Sequence, residues 1–396
     1  MSLSPFSLLI ALGALLGHLY LFWRLVWNLT PRRLPRLFAA VVLGVMTLVL
    51  VARRYLHRTL PEAPGDVVEL VSYSWMGIAL CLVLALGGLD VGRALLALGR
   101  RLRPEAARAS VPPPTPDVDV ERRRFLSQAT AGGALVLGGG LAGYGSWRAF
   151  TAPEVTELVV RIPRLPRALE GLSIVQLTDL HVGPFIQRRF MDELVRRANA
   201  LKPDLVAITG DLVDGSVPRL GGHVAALGNL QARYGRFFVT GNHDYSSGAD
   251  AWVAYLRSLD ITSLRNQRVS IGDAGGTFDL VGVDDWHGGR RLRQKGYDLD
   301  MALAGRDPER AAVLLAHQPA NFKVAAKQGV DLQISGHTHG GQLFPMTALI
   351  GLSWEHSAGH YQHDDSHIYV SRGCGFWGPP MRLGSPPELV KLVLTS

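Results

Sequence analysis

Five short segments of the chain end in side chains able to bind metals or move protons. They carry Asp179 and His181; Asp211 and Asp214; Asn242, His243 and Asp244; His317; and His337 and His339. All are carboxylate, amide or imidazole groups, with no cysteine among them. Oxygen and imidazole donors suit borderline divalent ions such as Mn, Fe, Zn or Co rather than a thiolate zinc site. The donors are too many for one ion and about right for two. One carboxylate must then bridge the pair, and Asp211, behind its glycine, is the natural candidate. Singly, an Asp-x-His or a Gly-Asp is an ordinary turn or cap. Five such segment ends in order between residues 179 and 339 form a constellation.

The elements that must position these groups share one form. SIVQLTDLH (173–181), DLVAITGD (204–211), RFFVTGNHD (236–244), FDLVGVDD (278–285), AAVLLAHQ (311–318) and LQISGHTHG (332–340) each run from apolar residues into polar or ligand-type ones. Between them, Arg188–Leu201 and Arg219–Ala232 carry apolar residues at helical spacing. The alternation predicts an α/β architecture of buried strands, with functional residues at the strand ends.

DLH (179–181), GDLVD (210–214), GNHD (241–244), AHQP (316–319) and GHTHGGQ (336–342) resemble the five blocks of the calcineurin-like metallophosphoesterases. The resemblance covers residues 170–395. GHTHGGQ, GDLVD and the closing RGCGFWGPPMRLGSPPEL (372–389) are similar to the bacterial membrane-associated phosphodiesterase branch. It implies a four-layer α/β/β/α sandwich holding two divalent ions. Asp179, His181, Asp211 and His339 would hold the first, and Asp211, Asn242, His317 and His337 the second. His243 would face the substrate, binding phosphate or acting as general acid. The residue types suit that chemistry independently. Two ions ~3.5–4 Å apart can share a hydroxide and aim it at phosphorus while binding the oxygens on which charge builds. His243, titrating near neutrality, is suited to protonate the leaving group.

Further residues are candidates for support or substrate contact. Asp214 and Asp244 are expected either to orient ligand imidazoles or to cap helices. Asp284, Asp285 and Trp286 end a strand and are candidates for lining the substrate pocket. Arg372 and Arg382 are read as partners for a second phosphate or as surface arginines. His223, His287, His356, His360, His363 and His367 are read as surface or structural histidines.

The first 150 residues are of a different kind. Four charge-light apolar runs, Met1–Trp23, Leu37–Ala52, Leu70–Leu89 and Phe125–Trp147, predict about four transmembrane helices near 4–24, 37–53, 70–90 and 125–147. A Pro/Arg-rich cytoplasmic linker is expected over 91–124 and a catalytic domain over 155–396. Twelve arginines flank runs one/two and three/four, against three between runs two and three. The positive-inside rule therefore places the catalytic domain on the extracytoplasmic, periplasmic side of the cytoplasmic (inner) membrane. RRRFLS (122–127) before a glycine-rich apolar run resembles a twin-arginine export signal, making that export machinery a candidate partner. It lies behind three spans, and no cleavage is expected after it.

Over the 396 residues, hydrophobic residues make up 47% and charged ones 19%, which excludes a disordered chain. The two cysteines, Cys81 and Cys374, exclude a disulfide scaffold. The net charge of +8 belongs almost wholly to the apolar N-terminal part, so no nucleic-acid partner is expected. The expected activity is a membrane-anchored phosphoesterase acting on phosphodiester or phospholipid-type bonds. The alternatives are a UDP-2,3-diacylglucosamine-type pyrophosphatase of lipid A synthesis, with the opposite topology, and a catalytically silent membrane sensor or scaffold.

Overall fold

The computed structural model describes residues 5–102, 116–289 and 294–396. The chain divides into two compact units, Met1–Ser146 with Gly378–Pro380 and Trp147–Trp377 with Met381–Ser396. The first is helical, built of α1 (Pro5–Phe22), α2 (Arg33–Thr59), α3 (Glu62–Arg101) and α4 (Pro116–Phe150), whose last residues belong to the second unit. Among the described residues three stretches are long and apolar enough to cross a membrane: Arg33–Arg53, Glu62–Arg101 and Glu121–Phe150. A fourth apolar helical stretch, Ala11–Trp27, is shorter.

The helix that carries the second run begins at Arg33 and continues to Thr59. One expectation changes here. The linker expected over 91–124 is helical at both ends, through Arg101 in α3 and from Pro116 in α4. Residues 91–101, rich in Ala, Leu and Arg, are good helix formers, and charge content hid this. Of the proline-rich run 111–116, all but Pro116 lies outside the described residues, and RRRFLS sits inside α4. Polar contacts tie α1 and the turn after it to α3. Asp90 accepts from Arg24 Nη2 and from Tyr20 Oη, each at 2.7 Å, and His18 Nε2 accepts from Trp75 Nε1 at 2.7 Å.

Among the described residues the second unit is built on twelve strands: β1 (Glu154–Arg161), β2 (Ser173–Leu177), β3 (Leu205–Thr209), β4 (Arg236–Val239), β5 (Thr262–Ser263), β6 (Gln267–Asp273), β7 (Gly276–Gly282), β8 (Ala312–Leu315), β9 (Leu332–Ser335), β10 (Gly359–His363), β11 (Ser366–Val370) and β12 (Glu388–Thr395). They form two six-stranded sheets, in the orders β1-β12-β2-β3-β4-β5 and β10-β11-β9-β8-β7-β6. β2 to β5 run parallel, as do β7, β8, β9 and β11, so their carboxyl ends share an edge within each sheet.

Strand alternation builds the layers. In β3, Leu205 and Ala207 join the core between the sheets, while Val206 and Ile208 join the core on the outer face of the first sheet. That outer core is completed by α5 (Arg188–Ala200), α6 (Val217–Val224) and α8 (Ala249–Arg257), α7 (Asn242–Ser246) being the short helix between the last two. In β8, Val313 and Leu315 face the inter-sheet core, and Ala312 and Leu314 face α9 (Leu299–Leu303) and α10 (Phe322–Lys327). Both faces of these central strands are therefore apolar, which is why the segments read as continuous apolar runs. The result is the α/β/β/α sandwich. The helix expected over 219–232 stops at Val224 and continues as a 3₁₀ turn, Ala225–Asn229; Gly221, Gly222 and Gly228 weaken it.

Phe278 is fully buried between the sheets. Phe278→Ala is expected to destabilise the catalytic unit by about 3–5 kcal/mol, read as a lowered unfolding midpoint in thermal scans of the detergent-solubilised protein.

Candidate metal centre

The ligand-type residues lie just past the carboxyl ends of β2, β3, β4, β8 and β9, where the strand ends of the two sheets meet. The loops after β2 and β3 are zipped together. His181 N–H donates to the Asp211 carbonyl (3.1 Å), Val182 N–H to Leu212 (2.9 Å) and Asp214 N–H to Val182 (3.0 Å). Asp179, His181, Asp211, His337 and His339 all adopt positive φ, between 48° and 73°. Five strained residues at one site mark it as functional, since such conformations cost of order 1–3 kcal/mol each and persist only where neighbours enforce them. The enforcing bonds are visible: Asp179 N–H donates to the Gly210 carbonyl (3.1 Å), and His337 N–H donates to Asp179 Oδ2 (2.9 Å). Glycine is required at Gly210, where φ is +85° and a Cβ would lie 2.8 Å from the His317 ring.

The donors fall into two groups sharing one carboxylate. In the first, His181 Nε2 lies 3.2 Å from His339 Nε2 and 3.8 Å from Asp211 Oδ2, and His339 Nε2 lies 3.3 Å from Asp179 Oδ1. In the second, His317 Nε2 lies 3.2 Å from Asp211 Oδ2 and 3.1 Å from His337 Nδ1. Two ligand atoms ~2.1 Å from a common ion at an angle near 100° are separated by about 3.2 Å, so these spacings suit shared ligation. Asn242 Oδ1 is buried and, among the described residues, has no hydrogen-bond partner, leaving its lone pairs for a cation. His317 Nδ1 donates to the Thr209 carbonyl (2.8 Å), which turns the lone pair of Nε2 toward Asp211. Burial, reinforced by the neighbouring His317, pushes His337 down to about 3, and burial with Arg382 lowers His339 well below its ordinary value. Both rings are therefore neutral, the form that binds a metal. The residues present fit a pair of divalent ions.

His243 stands beside both groups. Its backbone N–H donates to Asp211 Oδ1 (2.8 Å), and its Nδ1 donates to Asp214 Oδ1 (2.5 Å). Asp214 Oδ2 accepts from His181 Nδ1 (3.1 Å), so one carboxylate orients two imidazoles. Burial works against charge on the His243 ring, but Asp211 and Asp214 outweigh it and raise the ring to about 9. Burial likewise opposes ionisation of Asp214, and the His181 and His243 rings override it and hold the carboxyl below its usual range.

The supporting residues separate. Among the described residues Asp244 makes no hydrogen bond to an imidazole. Its carboxylate accepts the backbone N–H groups of Gly241 (2.8 Å), Leu212 (2.9 Å) and Val213 (3.3 Å), tying β4's loop to β3's. Asp285, expected at the substrate pocket, is buried; it accepts from His287 N (2.9 Å), Gly288 N (2.6 Å) and Gln318 Nε2 (2.8 Å) and so shapes the loop. Asp284 accepts from Thr240 Oγ1 (2.9 Å) and Arg265 Nε (2.7 Å). A cavity of about 210 Å³ beside the cluster is lined instead by Asn242 and His337 with Tyr245, His287, Gly288 and Gln318. His287, read from sequence as structural, is thus a pocket residue; its signal was its place just beyond a strand end, at 284–287.

Arg382 is not a surface arginine, and both arginines are engaged by partners within the chain. Arg372 pairs with Glu388 Oε2 through Nη2 (2.6 Å) and Nε (3.0 Å). Arg382 is fully buried. It donates to the His339 carbonyl (3.1 Å) and the Gly373 and Gly375 carbonyls, and its Nη2 lies 3.1 Å from His339 Nδ1. Burial, only partly offset by Asp179, pushes it down to about 10. Its role is to hold His339.

The profile of the calcineurin-like phosphoesterases matches residues 172–341. A transmembrane protein with metallophosphoesterase domain from Bos taurus is 38% identical over 340 residues, 82% of this chain and 73% of its own. The chain belongs to the calcineurin-like phosphoesterase family. A Danio rerio protein with the same description is 34% identical over 404 residues, 96% of this chain and 86% of its own. An uncharacterized metallophosphoesterase of Helicobacter pylori (strain J99) is 36% identical over 260 residues, 64% of this chain and 68% of its own.

For this phosphoesterase, Arg382→Met is expected to weaken metal retention about 10–100-fold, as loss of a residue holding a ligand does. Arg372→Met is expected to lower thermal stability by stranding Glu388 while leaving metal content unchanged. Elemental analysis after dialysis, beside a thermal scan, reads both.

Proposed function

We propose that the protein is a membrane-anchored, two-metal phosphodiesterase acting on lipid-type phosphodiesters at the extracytoplasmic face of the inner membrane. The doubled donor cluster sharing Asp211 carries the enzymatic reading. Asp179, His181, Asp211 and His339 would hold one divalent cation, and Asp211, Asn242, His317 and His337 the other. Bound there, the cations supply Lewis acidity toward a phosphoryl group and acidify water toward neutral pH. The chain's own residues do the rest. With Nδ1 committed to Asp214, His243 has Nε2 left to deliver a proton to the departing oxygen. Asp214 fixes the ring's orientation and supports its charge.

The membrane part of the reading draws on the three apolar helices and on the two vertebrate relatives described as transmembrane proteins. The diester preference follows from tethering. Only Thr151–Pro153 separate α4 from β1, so the catalytic unit begins close to the bilayer, where phospholipids are the abundant phosphodiesters. The sidedness follows from the arginine distribution along the chain.

The purified protein is expected to hydrolyse bis-p-nitrophenyl phosphate faster than p-nitrophenyl phosphate in the presence of Mn²⁺. Asp211→Asn is expected to abolish turnover, and His243→Ala to lower kcat by about 10²–10⁴-fold. Absence of turnover with metal bound would overturn the reading. In intact cells, a membrane-impermeant maleimide is expected to label a Glu309→Cys variant without prior lysis; labelling only after lysis would reverse the topology.

A further inference from the structure

The segment that follows the last metal-cluster histidine is unusual for a water-facing surface. After GHTHGGQ the chain forms a short helix, α11 (Met346–Leu349), and a 3₁₀ turn, Ile350–Leu352, and neither contains a buried residue. Phe344 is 54% exposed, Met346 49%, Leu349 45% and Leu352 85%. Four large apolar side chains thus stand in solvent within nine positions. The base of the segment is pinned. Phe344 N–H donates to the Leu383 carbonyl (3.1 Å), and at the other end Thr338 Oγ1 donates to the Ser357 carbonyl. It is also attached to the site: the Trp354 ring meets His337 edge-on at 5.1 Å, and Trp377, 39% exposed, meets His243 at 5.8 Å.

We propose that Phe344, Met346, Leu349 and Leu352 enter the lipid bilayer, seating the rim of the metal centre in the membrane interface. A pinned segment with an apolar crest and neighbouring tryptophans has the composition of an interfacial anchor, which buries its apolar face ~5–10 Å into the headgroup/acyl boundary. The bilayer is the favoured occupant because the same chain brings it within reach. The four residue steps from Phe150, at the end of α4, to Glu154, at the start of β1, span at most ~14 Å. A second copy of the chain is a poorer fit, since a stable protein interface engages about 20–30 residues a side and this crest offers a handful. The inference stands apart from the hydrolytic reading and needs no turnover to be tested.

The test uses the full-length protein in phosphatidylethanolamine/phosphatidylglycerol nanodiscs, labelled with the environment-sensitive fluorophore NBD at Leu352→Cys or, separately, Phe344→Cys. Glu309→Cys, at an exposed position, is the control. The native cysteines are buried, and burial pushes the Cys374 thiol up to about 12, so the introduced thiol is the reactive one. At both crest positions the expected result is emission blue-shifted from the control and quenched by lipids carrying a nitroxide high on the acyl chain. Emission matching the control at both positions would overturn the proposal. A blue shift without nitroxide quenching would also overturn it, in favour of cover by protein. Two positions keep the test open if one variant fails to fold.

Discussion

The catalytic unit is organised around an electrostatic demand. Asp179 and Asp211 are almost completely removed from water, within a few ångströms of each other's ligand partners. A buried carboxylate is strongly disfavoured unless positive charge and hydrogen bonds compensate it. The surrounding groups answer that demand at graded distances. Backbone N–H groups of His337 and His243 donate to the two carboxylates, imidazoles converge on them, and the Arg382 guanidinium lies behind His339. A site that gathers two buried carboxylates among converging imidazoles, with His337 and His339 held neutral, is poised for divalent cations.

Geometry follows from that demand. Donors from five loops are brought to one point, and in the loops after β2, β3 and β9 the sharp turns show as positive φ values at five ligand-type residues. The cost is held by bonds between loops rather than within them. The loops after β2 and β3 are joined by a short parallel zipper, and Asp244 clamps β4's loop onto the same framework. Because these bonds run between neighbours in one sheet, a disturbance at any one loop reaches the others. The second sheet contributes His317, His337 and His339 through the shared apolar core, which fixes the distance between the sheets.

The helical unit obeys a different constraint. Its outward residues are apolar along most of α2, and the Arg24 and Tyr20 side chains meet at the Asp90 carboxylate. Intramembrane or interfacial charges are retained only when paired, so the Arg24–Asp90 contact constrains how α1 meets α3.

Much of this was legible in the amino-acid order. Strand positions, the α/β alternation and the donor residues were all readable, because buried parallel strands are short apolar runs and the donor types are chemically distinctive. So was the apolar character of the first 150 residues. The antiparallel additions β6 and β10 and the edge strand β1 were not, since their half-exposed patterns look like loop sequence; β12 was missed although it is mostly buried. Nor could spacing along the chain say what a long polar side chain touches. Arg382 reads like a surface arginine in a Pro/Gly-rich loop and is in fact buried against His339; Asp285 and His287, two positions apart, exchange expected roles. Local sequence determines which groups are available and which strand end carries them. Only the tertiary structure decides which of those groups meet, because a side chain's partner is set by contacts between segments far apart in the chain.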